Sequence, residues 1–328
     1  MKTVLITHTP TALANYFGPK AVAALEALAT VRLHRHEVPL DAAGLIAAAR
    51  DCDVIIADRQ TAGPGEVFRS LPQLVAFARC AVDIRNIDLA AASQQGVLVT
   101  QASAGFMASV AEWIIGVMID LARHITSASA AYRAGEPPTL RMGSELRGAT
   151  LGIIGYGQIA RYLVQLAAAF GMRILVTDPY VRVLEAGVAQ APFKRLLAEA
   201  DFVICLAKAT EETENLMDSG AFAKMKPTAH FINASRGNLV DEAALLAALD
   251  DERIAGCALD VGRAADQMPS PALARHPKVI ATPHIGGLTP PAIEHQAMET
   301  VSQVGEILSG RLPPGAVNPD NAGRLHGS

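Results

Sequence analysis

The sequence predicts an α/β protein made of two doubly wound parallel-sheet domains. Three observations carry that expectation. Short apolar runs alternate with alanine-rich helical patterns from end to end, the rhythm of βα units that feed a parallel sheet. The rhythm restarts at Ala149, after one long helical pattern and a polar loop, so two sheets are expected rather than one. A glycine-rich turn follows the first strand of the second series, which marks that half as the nucleotide-binding one. At 328 residues the chain is long enough for two domains of ordinary size.

In the first series the expected strands are Val4–Thr7, Val31–His34, Val54–Ala57, Leu74–Ala78 and Val97–Thr100, with helical stretches such as Ala12–Ala29 and Asp41–Arg50 between them. Met107–Ala131 has no turn signal and reads as one long helix, followed by the polar, proline-containing loop Gly135–Ser144. The second series runs Leu151–Ile154, Arg173–Thr177, Phe202–Leu206, His230–Ile232, Gly256–Leu259 and Val279–Ala281. A helical pattern over Ala292–Ser309 then leads into a proline- and glycine-rich tail from Gly310 that reads as poorly ordered. These boundaries place the nucleotide domain at about residues 101–285. The substrate domain is discontinuous, residues 1–100 plus 286–328, so that two connections join the halves in a hinge geometry.

The stretch LGIIGYGQIARYLVQLAAAFGMRILVTD, Leu151 to Asp178, is the densest in chemistry. Gly155, Gly157 and Ala160 form G-x-G-x-x-A. The first glycine permits a tight turn, the second lets a pyrophosphate approach the backbone, and the small third residue packs helix on sheet. The helix from Gln158 aims its free N–H groups and positive dipole end at the phosphates. Asp178 closes the second strand 23 residues after Gly155. A carboxylate there accepts hydrogen bonds from ribose hydroxyls and repels a 2′-phosphate, favouring NAD over NADP. This half is therefore expected to be a Rossmann NAD-binding domain.

Composition narrows the function classes. Charged residues are 18% and the formal net charge is −4 with no basic stripe, which argues against nucleic acid as a partner. Cys52, Cys80, Cys205 and Cys257 lie in or beside apolar strand-like runs without C-x-x-C spacing, so reduced, buried thiols are expected and neither a metal site nor disulfides. Met-Lys leads straight into VLIT without a signal-peptide core, and the longest apolar candidate, Val110 to Ala122, is interrupted by Glu112 and Asp120. No membrane association is expected, and a cytoplasmic location is.

Three further segments place polar groups beyond carboxyl ends of strands in the second series, where open α/β sheets keep their ligands. HFINASRGNLVDEAAL carries Arg236, IAGCALDVGRAADQMPSP carries Asp260 and Asp266, and VIATPHIGGLTPPA carries His284 before two glycines. His8, after the first strand, reads as a solvated strand-end residue. His34, His36, His124, His230, His276, His295 and His326 read as structural or exposed, and Glu211, Glu212 and Glu214 as a solvated helix start.

With these pieces in view, the chain resembles the D-2-hydroxyacid dehydrogenase family over essentially its whole length. The resemblance is carried by ELRGATLGIIGYGQIA, FGMRILVTDPY, MKPTAHFINASRGNLVDEAAL, IAGCALDV and VIATPHIGG in register, together with RNIDLAAASQQGVLVT and VAEWIIGVMIDLAR. It implies a flavodoxin-like substrate domain beside the Rossmann domain. It implies that Arg236 grips the substrate carboxylate and polarises its carbonyl, a task suited to a planar fork of N–H donors. It implies that His284 donates a proton to the keto oxygen and accepts it back from the alcohol, near the pH at which imidazole titrates. Gln158 and Ile159 would meet the pyrophosphate, while Ala234, Asp260 and the His284–Gly287 backbone, Gly286 included, would hold the nicotinamide end. Ala207, Thr213 and Ser235 complete the implied cofactor contacts. A homodimer formed through the nucleotide domain is implied as well, and the helix containing Trp113, Ile114, Ile115 and Met118 serves either that interface or the interior of one subunit.

Two departures from the family pattern concern the substrate. The family pairs its histidine with a glutamate five residues after the position of Asp260, whereas Ala265 stands there and Asp266 follows. Asp266, shorter and one position late, is expected to take over the role and raise the imidazole pKa. The substrate loop, glycine-rich in the family, reads Cys80-Ala81-Val82-Asp83, and Asp83 opposes an anionic substrate unless its side chain turns away. Ala81, Val82 and Asp83 remain the expected substrate-loop residues. The expected function is thus an NAD-dependent oxidoreductase interconverting a 2-keto acid and a D-2-hydroxy acid. The competing reading is an NAD(H)-binding regulatory module with weak or absent catalysis.

Overall fold

The computed structural model describes residues 2–325. The chain divides into two compact units, one built from the chain up to Phe106 and from Thr289 onward, the other from Met107–Leu288.

The first unit carries five parallel strands, β1 Thr3–Ile6, β2 Thr30–Leu33, β3 Val54–Ala57, β4 Ala76–Arg79 and β5 Leu98–Gln101, in the order β2-β1-β3-β4-β5. This is the flavodoxin-like order. Val4 and Ile6 point into one buried layer and Leu5 into the other, because successive side chains alternate across a sheet covered on both faces. The helix Pro290–Leu308 supplies Val301, Val304 and Ile307 to the first of these layers, which explains why residues so late in the chain belong to the N-terminal unit. The expected helix Ala12–Ala29 is two, Pro10–Tyr16 and Gly18–Glu26, because the backbone leaves helical geometry at Phe17 and at Gly18, whose φ is +82°.

From Gly310 to Leu325 the tail is ordered, contrary to the expectation from its proline and glycine content. Val317 N donates to Val99 O at 2.8 Å, and Asn318 takes the Val99 N–H at 2.7 Å while donating to Val97 O. The tail thus satisfies the open edge of β5, where unpaired backbone groups are costly. His326 lies outside the described residues.

The second unit holds seven parallel strands, β6 Thr150–Ile154, β7 Arg173–Thr177, β8 Val188–Gln190, β9 Phe202–Cys205, β10 His230–Asn233, β11 Gly256–Leu259 and β12 Val279–Ala281, in the order β12-β11-β10-β9-β6-β7-β8. Numbered within the unit this is the Rossmann order, extended by one strand. The edge strand β8 escaped the sequence reading because its three residues are largely exposed and show no apolar run.

Met107–Ala131 is also not one helix. It runs Met107–Arg123 and Ile125–Arg133, broken at His124, whose φ is +57°. Asp120 makes the break possible by accepting the Thr126 N–H at 2.8 Å and bonding the Thr126 hydroxyl, which caps the second helix. Ile114, Ile115 and Met118 are buried within this unit, where their helix packs on Gln158–Ala169. That assigns them to the core of a single subunit. Among the described residues no helix is long and apolar enough to cross a membrane.

Two histidines are sealed inside. His8 is buried against Phe17 rather than solvated, because β1 ends under the helices that cover its sheet, and burial holds its ring neutral. His230 stacks on Phe202 with ring centroids 5.3 Å apart, and burial lowers its pKa to about 4. Since the unfolded ring titrates near 6.5, the stability that a neutral His230 allows is complete above pH 6.5 and is lost as the pH falls toward 4, up to about 3 kcal/mol. His230→Phe, which keeps the stack, is expected to reduce the loss of unfolding free energy between pH 7 and pH 4.5. Urea titrations at both pH values measure it, and identical losses in both proteins would contradict the assignment.

Candidate active site

The glycine turn has the geometry its spacing predicts. Gly155 sits at φ +92°, and a Cβ there would meet the Ala207 backbone at 2.7 Å. Only glycine fits, for conformation and for space. Gly157 differs, because a Cβ there would meet no other atom within 4 Å. Its neighbours Gln158 and Ile159 open the helix Gln158–Ala169, and Gly157 and Gln158 are exposed. An exposed helix start with room above its second glycine is a cradle that fits a pyrophosphate. Between the glycines, Tyr156 is buried, its hydroxyl bonded to Glu185 and its ring beneath the Arg161 guanidinium at 4.5 Å. Burial and Glu185 push the phenol up to about 12, so it stays protonated.

Asp178, at the end of β7, accepts the Tyr156 N–H at 2.7 Å through one oxygen and the Tyr180 and Val181 N–H groups through the other. The carboxylate is therefore fixed against the glycine turn. Ala207 lies after β9, where its carbonyl accepts the Ser235 hydroxyl at 2.7 Å. Thr213 accepts the Thr210 N–H at 2.8 Å and donates to Lys208 O, which closes the loop beyond that strand.

After β10, Asn233 shapes the loop of Ala234, Ser235 and Arg236: its oxygen accepts the Ser235 N–H and its nitrogen donates to Arg236 O. Arg236 is half-buried, with Nη1 donating to Ser235 O at 2.7 Å. The next residue, Gly237, stands directly against the loop after β11, since a Cβ on it would lie 2.1 Å from the Gly262 carbonyl carbon. The two loops are back to back with no room for a side chain between them.

Asp260, buried at the end of β11, organises the histidine segment. One oxygen takes the Ile285 N–H and the Thr282 hydroxyl, and the other takes the Gly286 N–H at 2.8 Å. A Cβ on Gly286 would fall 2.8 Å from that oxygen. Gly287 follows, half-buried. His284 is half-buried at φ +57°, and its Nδ1 lies 3.1 Å from the main-chain oxygen of Asp266. Besides the carboxylate expected from the sequence, Asp266 thus offers the ring its backbone carbonyl. Glu214 is exposed, as expected, and is also bonded to Arg263 at 2.8 Å, an arginine that the sequence did not single out.

Ala81, Val82 and Asp83, expected from the sequence as the substrate loop, lie in the first unit, after β4, half-buried. Asp83 is paired with Arg85, whose Nε and Nη2 reach its two oxygens at 3.0 and 2.6 Å. The Asp83 carboxylate thus has a counter-ion two residues away.

The glycine turn, the Arg236 loop and the His284 segment all follow strands of one seven-stranded parallel sheet, at the edge where open α/β sheets hold their ligands. Comparison gives the class. The family model described as "D-isomer specific 2-hydroxyacid dehydrogenase, NAD binding domain" matches residues 115–286. The chain belongs to the D-isomer-specific 2-hydroxyacid dehydrogenase family. It is 34% identical over 283 residues to a D-3-phosphoglycerate dehydrogenase of Synechocystis, a match covering 85% of this chain and 51% of that protein. The chain thus spans about half the length of the curated relatives it matches. Among solved structures, a protein from Thermus thermophilus aligns with a TM-score of 0.86 at 29% identity, over 96% of this chain and 99% of its own. The apo D-lactate dehydrogenase of Escherichia coli aligns at 0.82 and 25% identity, over 97% and 100%.

Proposed function

We propose that this chain is an NAD-dependent oxidoreductase that interconverts a small 2-keto acid and the corresponding D-2-hydroxy acid. The observation that carries the reading is the convergence at one sheet edge. The Arg236 loop abuts the β11 loop at Gly237 and Gly262, and the β11 loop in turn meets His284 through Asp266 O. When bound, the nicotinamide supplies or accepts the hydride. Gly155, Gly157, Gln158 and Ile159 would hold its pyrophosphate, Asp178 the ribose, and Ala207, Thr213, Ala234, Ser235, Asp260, Gly286 and Gly287 the remainder of the dinucleotide.

In this reading the Arg236 fork binds the substrate carboxylate and draws electron density from the keto oxygen. His284, as imidazolium, donates a proton to that oxygen during reduction and, as neutral imidazole, removes it during oxidation. Aligning the two reactants is the remaining task of the protein. A purely regulatory module has no use for this pair. The test is a panel of 2-keto acids (glyoxylate, hydroxypyruvate, pyruvate, branched and aromatic analogues) with purified protein and NADH. Oxidation of NADH with at least one is expected, and silence across the panel with cofactor bound would refute the reading.

Preference for NADH over NADPH belongs to the same proposal, supported by the fixed Asp178 carboxylate, which repels a 2′-phosphate. At least about a tenfold preference in affinity is expected, and Asp178→Ser should narrow it. Equal titration curves for the two cofactors in the unaltered protein would contradict it. We also infer a cytoplasmic protein, since all four cysteines are free, buried thiols, with burial pushing Cys205 up to about 12. A homodimer is proposed too. Exposed Tyr132, Leu140 and Met142 offer apolar surface to a second copy, and light scattering distinguishes dimer from monomer.

A further inference from the structure

We propose that the main-chain carbonyl of Asp266, on a loop clamped by Arg263, orients the His284 imidazole and selects which ring nitrogen exchanges protons. Arg263 is then a positioning residue. The inference rests on the reading of His284 as acid and base. A carbonyl oxygen can only accept, so the 3.1 Å contact requires the hydrogen to be on Nδ1. Nε2 then carries the lone pair in the neutral ring and the transferable proton in the imidazolium. A carbonyl dipole sets the tautomer as a carboxylate does.

The aim of that carbonyl is set by backbone conformation. Asp266 and Gln267 both occupy the left-handed region, at φ +54° and +59°, which disfavours residues other than glycine. Such a pair persists only where its surroundings over-determine it. Gly262 N donates to Gln267 O at 2.7 Å, and Ala264 N donates to Met268 O at 3.0 Å, which closes the loop on itself.

Arg263 then fastens the loop to the body of the unit. Its N–H donates to Glu242, its Nε to Val240 O, and its Nη2 to Glu214, Asn215 and Asn238 O, at 2.6 to 3.1 Å. Asn238 and Val240 belong to the segment that begins at Arg236 and Gly237. One guanidinium therefore ties the loop that meets the histidine to the loop that carries the arginine. Asp260 fixes the other side of the histidine segment through Ile285 N and Gly286 N.

The test uses the full chain labelled with 15N-histidine, with His284→Gln to assign the signal, alongside kcat, KM and NADH affinity. Wild type should display the Nδ1–H tautomer. Arg263→Ala should convert it to a mixture and lower kcat by about tenfold or more, with NADH affinity within about twofold, and Arg263→Lys should recover part of both. Asp266→Gly keeps the carbonyl and relieves the left-handed strain, so the Nδ1–H tautomer should persist. An unchanged tautomer in Arg263→Ala would overturn the proposal, as would its loss in both Asp266→Gly and Asp266→Asn, which would return the role to the carboxylate. Were no keto acid turned over by wild type, the tautomer in Arg263→Ala would still decide this proposal, and the functional reading alone would fall.

Discussion

Arg236→Ala is expected to lower kcat/KM for keto-acid reduction by about a thousandfold while leaving NADH binding within about twofold. Each charge-assisted hydrogen bond to a substrate carboxylate contributes about 1.5–3 kcal/mol, so losing a two-pronged grip removes about 4 kcal/mol, roughly three powers of ten. The loop should survive the change, because its shape is held elsewhere. Asn233 bonds both Ser235 N and Arg236 O, and Ser235 Oγ is tied to Ala207 O. The guanidinium's own bond onto that loop is to Ser235 O, which can turn to water when the side chain is gone. Arg236→Lys should recover only part of the loss, since an ammonium offers charge without the planar fork. Steady-state kinetics with parallel NADH fluorescence titrations measure both quantities. A variant that keeps a tenth of wild-type kcat/KM, or one that loses NADH binding in proportion to turnover, would show that Arg236 does not bind the substrate.

How much of this could be read in advance depends on where each requirement is written. Gly155 was legible because its need for a positive φ and for close approach to Ala207 excludes every other residue, so the requirement appears in the sequence as a glycine. The central strands of both sheets were legible for a similar reason: with two faces buried, Val54–Ala57 or Phe202–Cys205 must be apolar throughout. The helix break at His124 was not, since histidine is an uncommon left-handed residue and the cap that permits it, Asp120 to Thr126, looks like two ordinary surface polars. Nor was the ordered tail, where Asn318 and Gly315 serve a strand more than two hundred residues earlier. The contact to His284 is the sharpest case. A main-chain oxygen carries no residue signature, so the sequence directed attention to the Asp266 carboxylate. Arg263 was silent because its partners come from residues 214–242, which only the fold brings together. Side-chain chemistry at strand ends was visible, and main-chain chemistry in loops was not.

Gly157→Val should abolish detectable NADH binding, a loss of at least about a hundredfold in affinity, with no change in thermal stability beyond about 1 kcal/mol. The separation of the two effects is the point of the variant. At Gly155 a new side chain collides with the Ala207 backbone and forces a left-handed φ on a residue that resists it, so Gly155→Ala would lose fold and cofactor together and decide little. Gly157 has a φ of −84°, which any residue adopts, and a Cβ there meets no protein atom within 4 Å. The folded chain therefore has no reason to object to valine. A pyrophosphate seated over the N-terminal turn of Gln158–Ala169 does, since its oxygens must come within hydrogen-bonding distance of those N–H groups and the branched side chain would occupy that space. Calorimetric unfolding and fluorescence titration on the same preparation supply both readouts. A stable Gly157→Val protein that binds NADH like wild type would mean that the dinucleotide, if it binds, does so away from this helix start, and the assignment of Gln158, Ile159 and Asp178 would go with it.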